Sequence, residues 1–148
     1  MRTSKKGIDL IKKYEGFSSK PYLCPAGVPT IGYGATYYPY GQKVTMNDAP
    51  ISEPEAEAML KDMLNRYEEG VERYVQKQIN QNQFDALVCF AYNVGLGALK
   101  GSTLLKEVNQ NPCNTDISYQ FSRWNKAGGK ALAGLTKRRT EEAELYFS

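Results

Sequence analysis

The chain has 148 residues, 19 Lys and Arg against 16 Asp and Glu, a formal charge of +3, and no histidine. The missing imidazole excludes Ser-His-Asp and Cys-His catalysis and His-ligated zinc, which leaves acid/base chemistry to carboxylates, thiols, amines or phenols. The length fits one domain, or one domain in two lobes, and is large enough to bury a core.

Three widely spaced cysteines, Cys24, Cys89 and Cys113, cannot all pair within the chain and form no CxxC signature. No disulfide framework is therefore expected, and with no histidine and no tight carboxylate cluster neither a metal nor a cofactor is expected. No apolar run approaches the ~18–20 residues of a membrane span. The first 17 residues interleave Lys5, Lys6, Lys12 and Lys13 with their apolar positions, so no signal-peptide core is expected there. The charge is uneven: residues 1–30 carry six basic and two acidic side chains, residues 31–78 five and eight, and residues 79–148 eight and six. Basic ends around an acidic middle suit solvated helix faces or attraction to a polyanion such as nucleic acid, anionic lipid or bacterial wall.

Ser4–Tyr14 reads as a helix, with Ser4 as cap, Ile8 and Ile11 at helical spacing and Gly16 as its stop. From Phe17 to Val44, prolines and glycines punctuate short Tyr-, Val-, Thr- and Ile-rich segments, which is strand-and-turn chemistry. Tyr22–Cys24 is expected to pair with Val28–Ile31 across Pro25-Ala26-Gly27. A long helical pattern follows over Ile51–Asn80, opened by the capping box Ser52 to Glu55. At ~1.5 Å per residue, 25 residues of it would span roughly 37 Å, enough to join two lobes, with Gly70 as a site of bending. Asn82–Asn93 is a more apolar helix. Gly95, Gly97 and Gly101 then break the chain. Ser102–Asn109 and Thr115–Trp124 are short helices, Gly128-Gly129 a loop, and Leu135–Phe147 a final helix with Thr136 as cap. Cys89 is expected to be an inert buried thiol, Trp124 a core ring, and Lys137-Arg138-Arg139 a solvated face or an anion contact.

Glu15 is the most informative residue. It lies seven after Ile8 and four after Ile11, on the apolar face of the first helix, and in the last turn, where the helix dipole disfavours negative charge. Both effects favour the protonated carboxyl, as a glycosidase general acid requires. Cys24 and Thr30 flank the expected hairpin turn and can face the same side, opposite Glu15.

These residues, with others along the chain, carry a family likeness. Tyr14-Glu15-Gly16-Phe17, Cys24-Pro25-Ala26-Gly27-Val28-Pro29-Thr30-Ile31-Gly32-Tyr33-Gly34, Asn82–Val88, Ala91–Gly95, Arg123–Lys130 and Gly134–Arg139 together resemble the phage-type lysozymes of glycoside hydrolase family 24. The resemblance implies an α+β, mostly α, lysozyme-like fold with a small β-hairpin lobe and a larger helical lobe joined by a long helix. It implies one domain over 1–148: a β-containing lobe over about 15–50, a connecting helix over about 51–80, and a helical lobe over about 81–148 together with the helix 4–15. It further implies Glu15 as general acid on the glycosidic oxygen, Cys24 at the second catalytic position, where the best-known members have Asp, and Thr30 as the hydroxyl that orients water. Tyr92 and Thr103 near the cleft floor and Thr36 at its rim are the implied substrate contacts. Apart from the resemblance, Tyr33, Tyr37, Tyr38 and Tyr40 either form an aromatic rim for sugar rings or reflect the preference of tyrosine for strands. The His that family members often place after Gly-Tyr-Gly is replaced here by Ala35-Thr36.

Cys24 leaves three chemistries open: a thiolate base, a covalent nucleophile, and a spacer in a transglycosylase that uses the substrate's own hydroxyl. The implied activity is a muramidase cutting β-1,4 bonds between N-acetylmuramic acid and N-acetylglucosamine, as a phage or prophage endolysin. Its partner would be bacterial peptidoglycan. It would be a monomer, held in the host cytoplasm until a holin lets it reach the wall. The alternatives are a non-catalytic, peptidoglycan-binding or structural lysozyme-like module, and a nucleic-acid binder, for which no motif exists.

Overall fold

The computed structural model describes residues 1–148 as seven helices and two small antiparallel sheets. By chain contacts it divides into two compact units, residues 9–65 and residues 1–8 with 66–148. The expected α+β, predominantly helical architecture is what forms.

In the unit of residues 9–65, helix α1 (Lys5–Glu15) ends where Gly16, at φ +73°, turns the chain and donates its N–H to the Lys12 carbonyl at 3.0 Å. Strands β1 (Ser18–Leu23) and β2 (Pro29–Gly32) then pair in the expected hairpin, with Tyr22 opposite Thr30 and Leu23 opposite Pro29. The register slips between Ser18 and Tyr22, where Pro21 has no N–H to offer a ladder. At the turn, the Cys24 N–H donates to the Val28 carbonyl at 3.1 Å and the Gly27 N–H to the Cys24 carbonyl at 2.8 Å, with Gly27 at φ +76°. Ile31, Ala35, Val44 and Met59 form the core of this unit, covered by Tyr38, Ile51 and Met63.

Helix α2 (Glu53–Tyr74) starts as read, with the Glu55 N–H on Ser52 Oγ at 3.3 Å. It stops six residues before Asn80. The reason lies far along the chain: Asn109 donates from Nδ2 to the Tyr74 carbonyl at 3.0 Å and accepts the Gln76 N–H on Oδ1 at 2.7 Å, closing the helix end. Gly70 serves close approach, since a Cβ there would stand 2.4 Å from Leu96 Cδ2.

The unit containing residues 66–148 is built on α3 (Gln81–Val94), buried from Gln83 to Ala91 and capped by a reciprocal Asn80–Gln83 box. Against it pack α4 (Leu96–Lys100) and α7 (Ala133–Tyr146); α5 (Thr103–Gln110) and α6 (Asp116–Ser122) complete the helical set. Phe90 meets Phe121 and Trp124 edge-on, each at 5.6 Å between ring centroids, so the half-buried Trp124 packs onto the core from its edge. Ser102 caps α5 through the Leu105 N–H at 3.0 Å.

Several local expectations are refined or corrected. Ser4 does not cap α1 with its side chain; its N–H (3.0 Å) and hydroxyl both go to the fully buried Asp85, which also accepts from Gln81 Nε2 at 2.8 Å. The expected chain break at Gly95, Gly97 and Gly101 holds a short helix, with Gly95 and Gly101 at the ends of α4 and Gly97 inside it. Gly128 and Gly129, at φ +58° and +80°, form the tight turn of a second hairpin between β3 (Lys126–Ala127) and β4 (Lys130–Ala131). Thr136 lies inside α7, accepting from Asn125 Nδ2 at 3.1 Å. Arg138 and Arg139 are likewise not a solvated face. Both are buried against Glu142, at 3.2 and 2.8 Å, and reach the Cys89 carbonyl and Asn93 Oδ1.

Candidate active site

The site is assembled by α1 and the first hairpin. Glu15 is the last residue of α1, half-buried and not enclosed, at the carbonyl end of the helix. Strand pairing fixes the other groups. Side chains two apart on a strand share a face, as do cross-strand partners. Tyr22 therefore shares a face with Thr30 opposite, and Cys24 follows directly after the end of β1, where the turn begins.

Cys24 is the electrostatic centre of the hairpin. Backbone N–H groups of Val28 and Ala26 reach its sulfur and lower its pKa below the ordinary thiol value. Burial opposes this, and the Thr30 hydroxyl and the Cys24 N–H add smaller lowering effects. The cause is the turn itself: a chain reversing over four residues points successive amides inward and makes a cradle for an anion.

Thr30 is nearly buried, at 3% exposure, and its hydroxyl donates to the Val28 carbonyl at 2.8 Å. A hydroxyl has one proton. It can serve the Val28 carbonyl or the Cys24 thiolate, not both. Its lone pairs can still accept in either state.

Tyr22 is the member of this group that sequence reasoning missed. Burial raises its phenol pKa first, and the charges of Glu15 and Cys24 raise it further, so the ring stands within electrostatic reach of both. The available signal was the register: two before Cys24 and paired with Thr30.

The remaining expected contacts divide. Tyr33 turns inward, 5% exposed, its hydroxyl donating to Glu53 at 2.6 Å and its ring packed on Phe17 at 5.7 Å between centroids, with Lys12 Nζ 5.5 Å from the ring centre. It braces β2 and offers no free hydroxyl. Thr36 is half-buried, its carbonyl accepting the Val44 N–H at 2.9 Å. Tyr92 and Thr103 belong to the other unit: Tyr92 packs edge-on against Tyr67 at 5.2 Å, and Thr103 is exposed in the first turn of α5. No group of three or more His, Cys, Asp or Glu side chains is arranged to hold a metal ion. Cys89 is buried, and its thiol is pushed well up by desolvation, as suits an inert core group. Cys113 is exposed, and all three cysteines are free.

A helix-end glutamate beside a hairpin that carries a thiol and a hydroxyl, within a mainly helical fold, defines a lysozyme-type scaffold. The chain belongs to the phage lysozyme family, whose family model matches residues 12–142. It is similar to the endolysin of Bacillus phage B103, at 44% identity over all of this chain and 55% of that protein. The chain spans about half the length of the Bacillus phage endolysins it matches. Among solved structures, it is similar to the endolysin from Escherichia coli O157:H7 phage FAHEc1 (TM-score 0.91, 34% identity, covering 100% of this chain and 94% of that one). It is also similar to the muramidase domain of SpmX from Asticaccaulis excentricus (TM-score 0.87, 32% identity, 99% and 98% covered).

Proposed function

We propose that the chain is a peptidoglycan-degrading muramidase of the endolysin type, hydrolysing β-1,4 bonds between N-acetylmuramic acid and N-acetylglucosamine. Family membership and the muramidase and endolysin names of its relatives support the substrate class. One observation carries the chemistry: a thiol held below its ordinary pKa by turn amides, next to a hydroxyl, on the hairpin that follows the helix-end Glu15.

In the proposed reaction, Glu15 gives its proton to the glycosidic oxygen as the bond to the anomeric carbon breaks. Positive charge builds on that carbon and ring oxygen. Water, accepted by Thr30 and deprotonated by the Cys24 thiolate, bonds to the anomeric carbon. The water proton ends on sulfur and the leaving sugar carries the Glu15 proton, so the charges balance. A thiolate, which the turn amides favour, is competent here because it is both an anion and a base. Tyr92, Thr103 and Thr36 are proposed as glycan contacts. The domain reading, one lysozyme-like domain with a connecting helix, stands as part of the same proposal, as do the monomeric state and access to the wall through a holin. No helix is long and apolar enough to cross a membrane.

The test is clearing of bacteria stripped of their outer membrane by the wild type and by Glu15→Gln. Clearing by the wild type alone is expected; no clearing, or equal clearing by both, overturns the assignment. Mass spectrometry of the products distinguishes a reducing muramic acid end, expected here, from the anhydro end of a transglycosylase.

A further inference from the structure

Every potent donor in the site already has a destination. The Glu15 proton is needed by the glycosidic oxygen. The Thr30 proton goes to the Val28 carbonyl or to Cys24. Thiolate is an acceptor only. Yet an N-acetylated sugar presents mainly acceptors, its acyl carbonyl and ring and hydroxyl oxygens, and these need donors in order to be oriented.

Tyr22 meets that need. It pairs across the hairpin with Thr30, on the same face, and stands within electrostatic reach of Cys24 and Glu15. It is 37% exposed, and its hydroxyl makes no hydrogen bond within the protein. Tyr33, Tyr38 and Tyr146 differ: their hydroxyls are committed to Glu53, Asp48 and the Pro112 carbonyl. Burial and the charges of Glu15 and Cys24 all oppose ionisation of the Tyr22 phenol, which favours the neutral donor form.

We propose that Tyr22 is a substrate-positioning residue, its phenol O–H donated to an oxygen acceptor of the sugar at the scissile bond. This rests on the muramidase reading. A donor at that place fixes the ring against Glu15 and the attacking water without adding charge to the site.

The test is steady-state cleavage of uncrosslinked peptidoglycan strands by wild type, Tyr22→Phe, Tyr22→Leu and Glu15→Gln. Tyr22→Phe keeps the ring and removes only the donor. It is expected to lower kcat/KM about tenfold, mostly through KM, with the thermal midpoint unchanged and the pH profile in place. A kcat/KM within twofold of wild type overturns the proposal, as does a loss seen only in Tyr22→Leu, which would make the ring an apolar platform. If wild type and Glu15→Gln release reducing ends equally, the hydrolase reading fails separately. Tyr22 is then read from chitohexaose binding by calorimetry: a weaker Kd in Tyr22→Phe supports the donor, and an equal Kd overturns it.

Discussion

Gly7→Ala sets two effects against each other, and the structure decides between them. Gly7 lies inside α1, where alanine should stabilise a helix by about 1 kcal/mol. A Cβ there, however, would stand 2.6 Å from Thr3 Cγ2 and 2.9 Å from both Cβ and Cγ of Asp85. None of these atoms is free to move. Thr3 is held by its N–H and hydroxyl to Glu68 Oε2, at 2.7 and 2.6 Å. Asp85 is fixed by the α3 backbone and by Ser4 and Gln81. Overpacking costs about 1–3 kcal/mol, and loosening hydrogen bonds to a buried carboxylate costs about 1.5–3 kcal/mol each. Against the helix gain, the net expectation is a loss of about 2–4 kcal/mol. With unfolding entropy of about 2.1 cal/mol/K per residue, the midpoint should fall by roughly 6–13 °C. Calorimetry with urea unfolding measures it. Adding Thr3→Ser, which deletes Cγ2 and keeps the hydroxyl, should recover part of the loss. A Gly7→Ala protein as stable as the parent would refute the account of this corner.

Cys24→Asp should keep activity, while Cys24→Ala should lose about 10²–10⁴ in kcat with the fold intact; full activity in Cys24→Ala would remove the thiol from the mechanism. Because the turn amides lower the Cys24 pKa, thiolate appears at lower pH than for an ordinary thiol. Wild-type kcat/KM should therefore rise with pH through a midpoint below about 8.5, the ordinary thiol value. In Cys24→Asp that rise should move to the carboxylate range near pH 4, and an unmoved rise would assign it to another group. Asn109→Ala removes both hydrogen bonds from the end of α2 and should cost about 1–2 kcal/mol in thermal unfolding.

The sequence showed the site's chemistry better than its surroundings, and particular residues say why. The hairpin was legible because its turn residues and register are local: Pro25-Ala26-Gly27 fixes which strand positions face one another, and so places Cys24 with Thr30. The start of α2 was legible for the same reason, through Ser52 and Glu55. Its end was not, because the capping group is Asn109, more than thirty residues onward. Ser4 looked like a cap until the buried Asp85, a polar position in an apolar helix pattern, claimed it. Arg138 and Arg139 read as a charged surface because the buried carboxylate between them, Glu142, lies one turn later on the same helix. Tyr22 was hidden by an ordinary explanation, since tyrosine favours strands on packing grounds alone.

The closure of α2 by Asn109 also provides a local clock. The Gln76 amide is held by a side chain from α5 and by no helical carbonyl. Its exchange with deuterated solvent therefore reports release of that one side chain, which can occur without global unfolding. A protected Gln76 amide would mean that the last turn of α2 and the helix carrying Asn109 open as one cooperative unit. Rapid exchange at Gln76, with Leu104 and Val108 still protected, would mean that the end of α2 frays independently. A single resonance would thus separate two routes by which this unit begins to come apart.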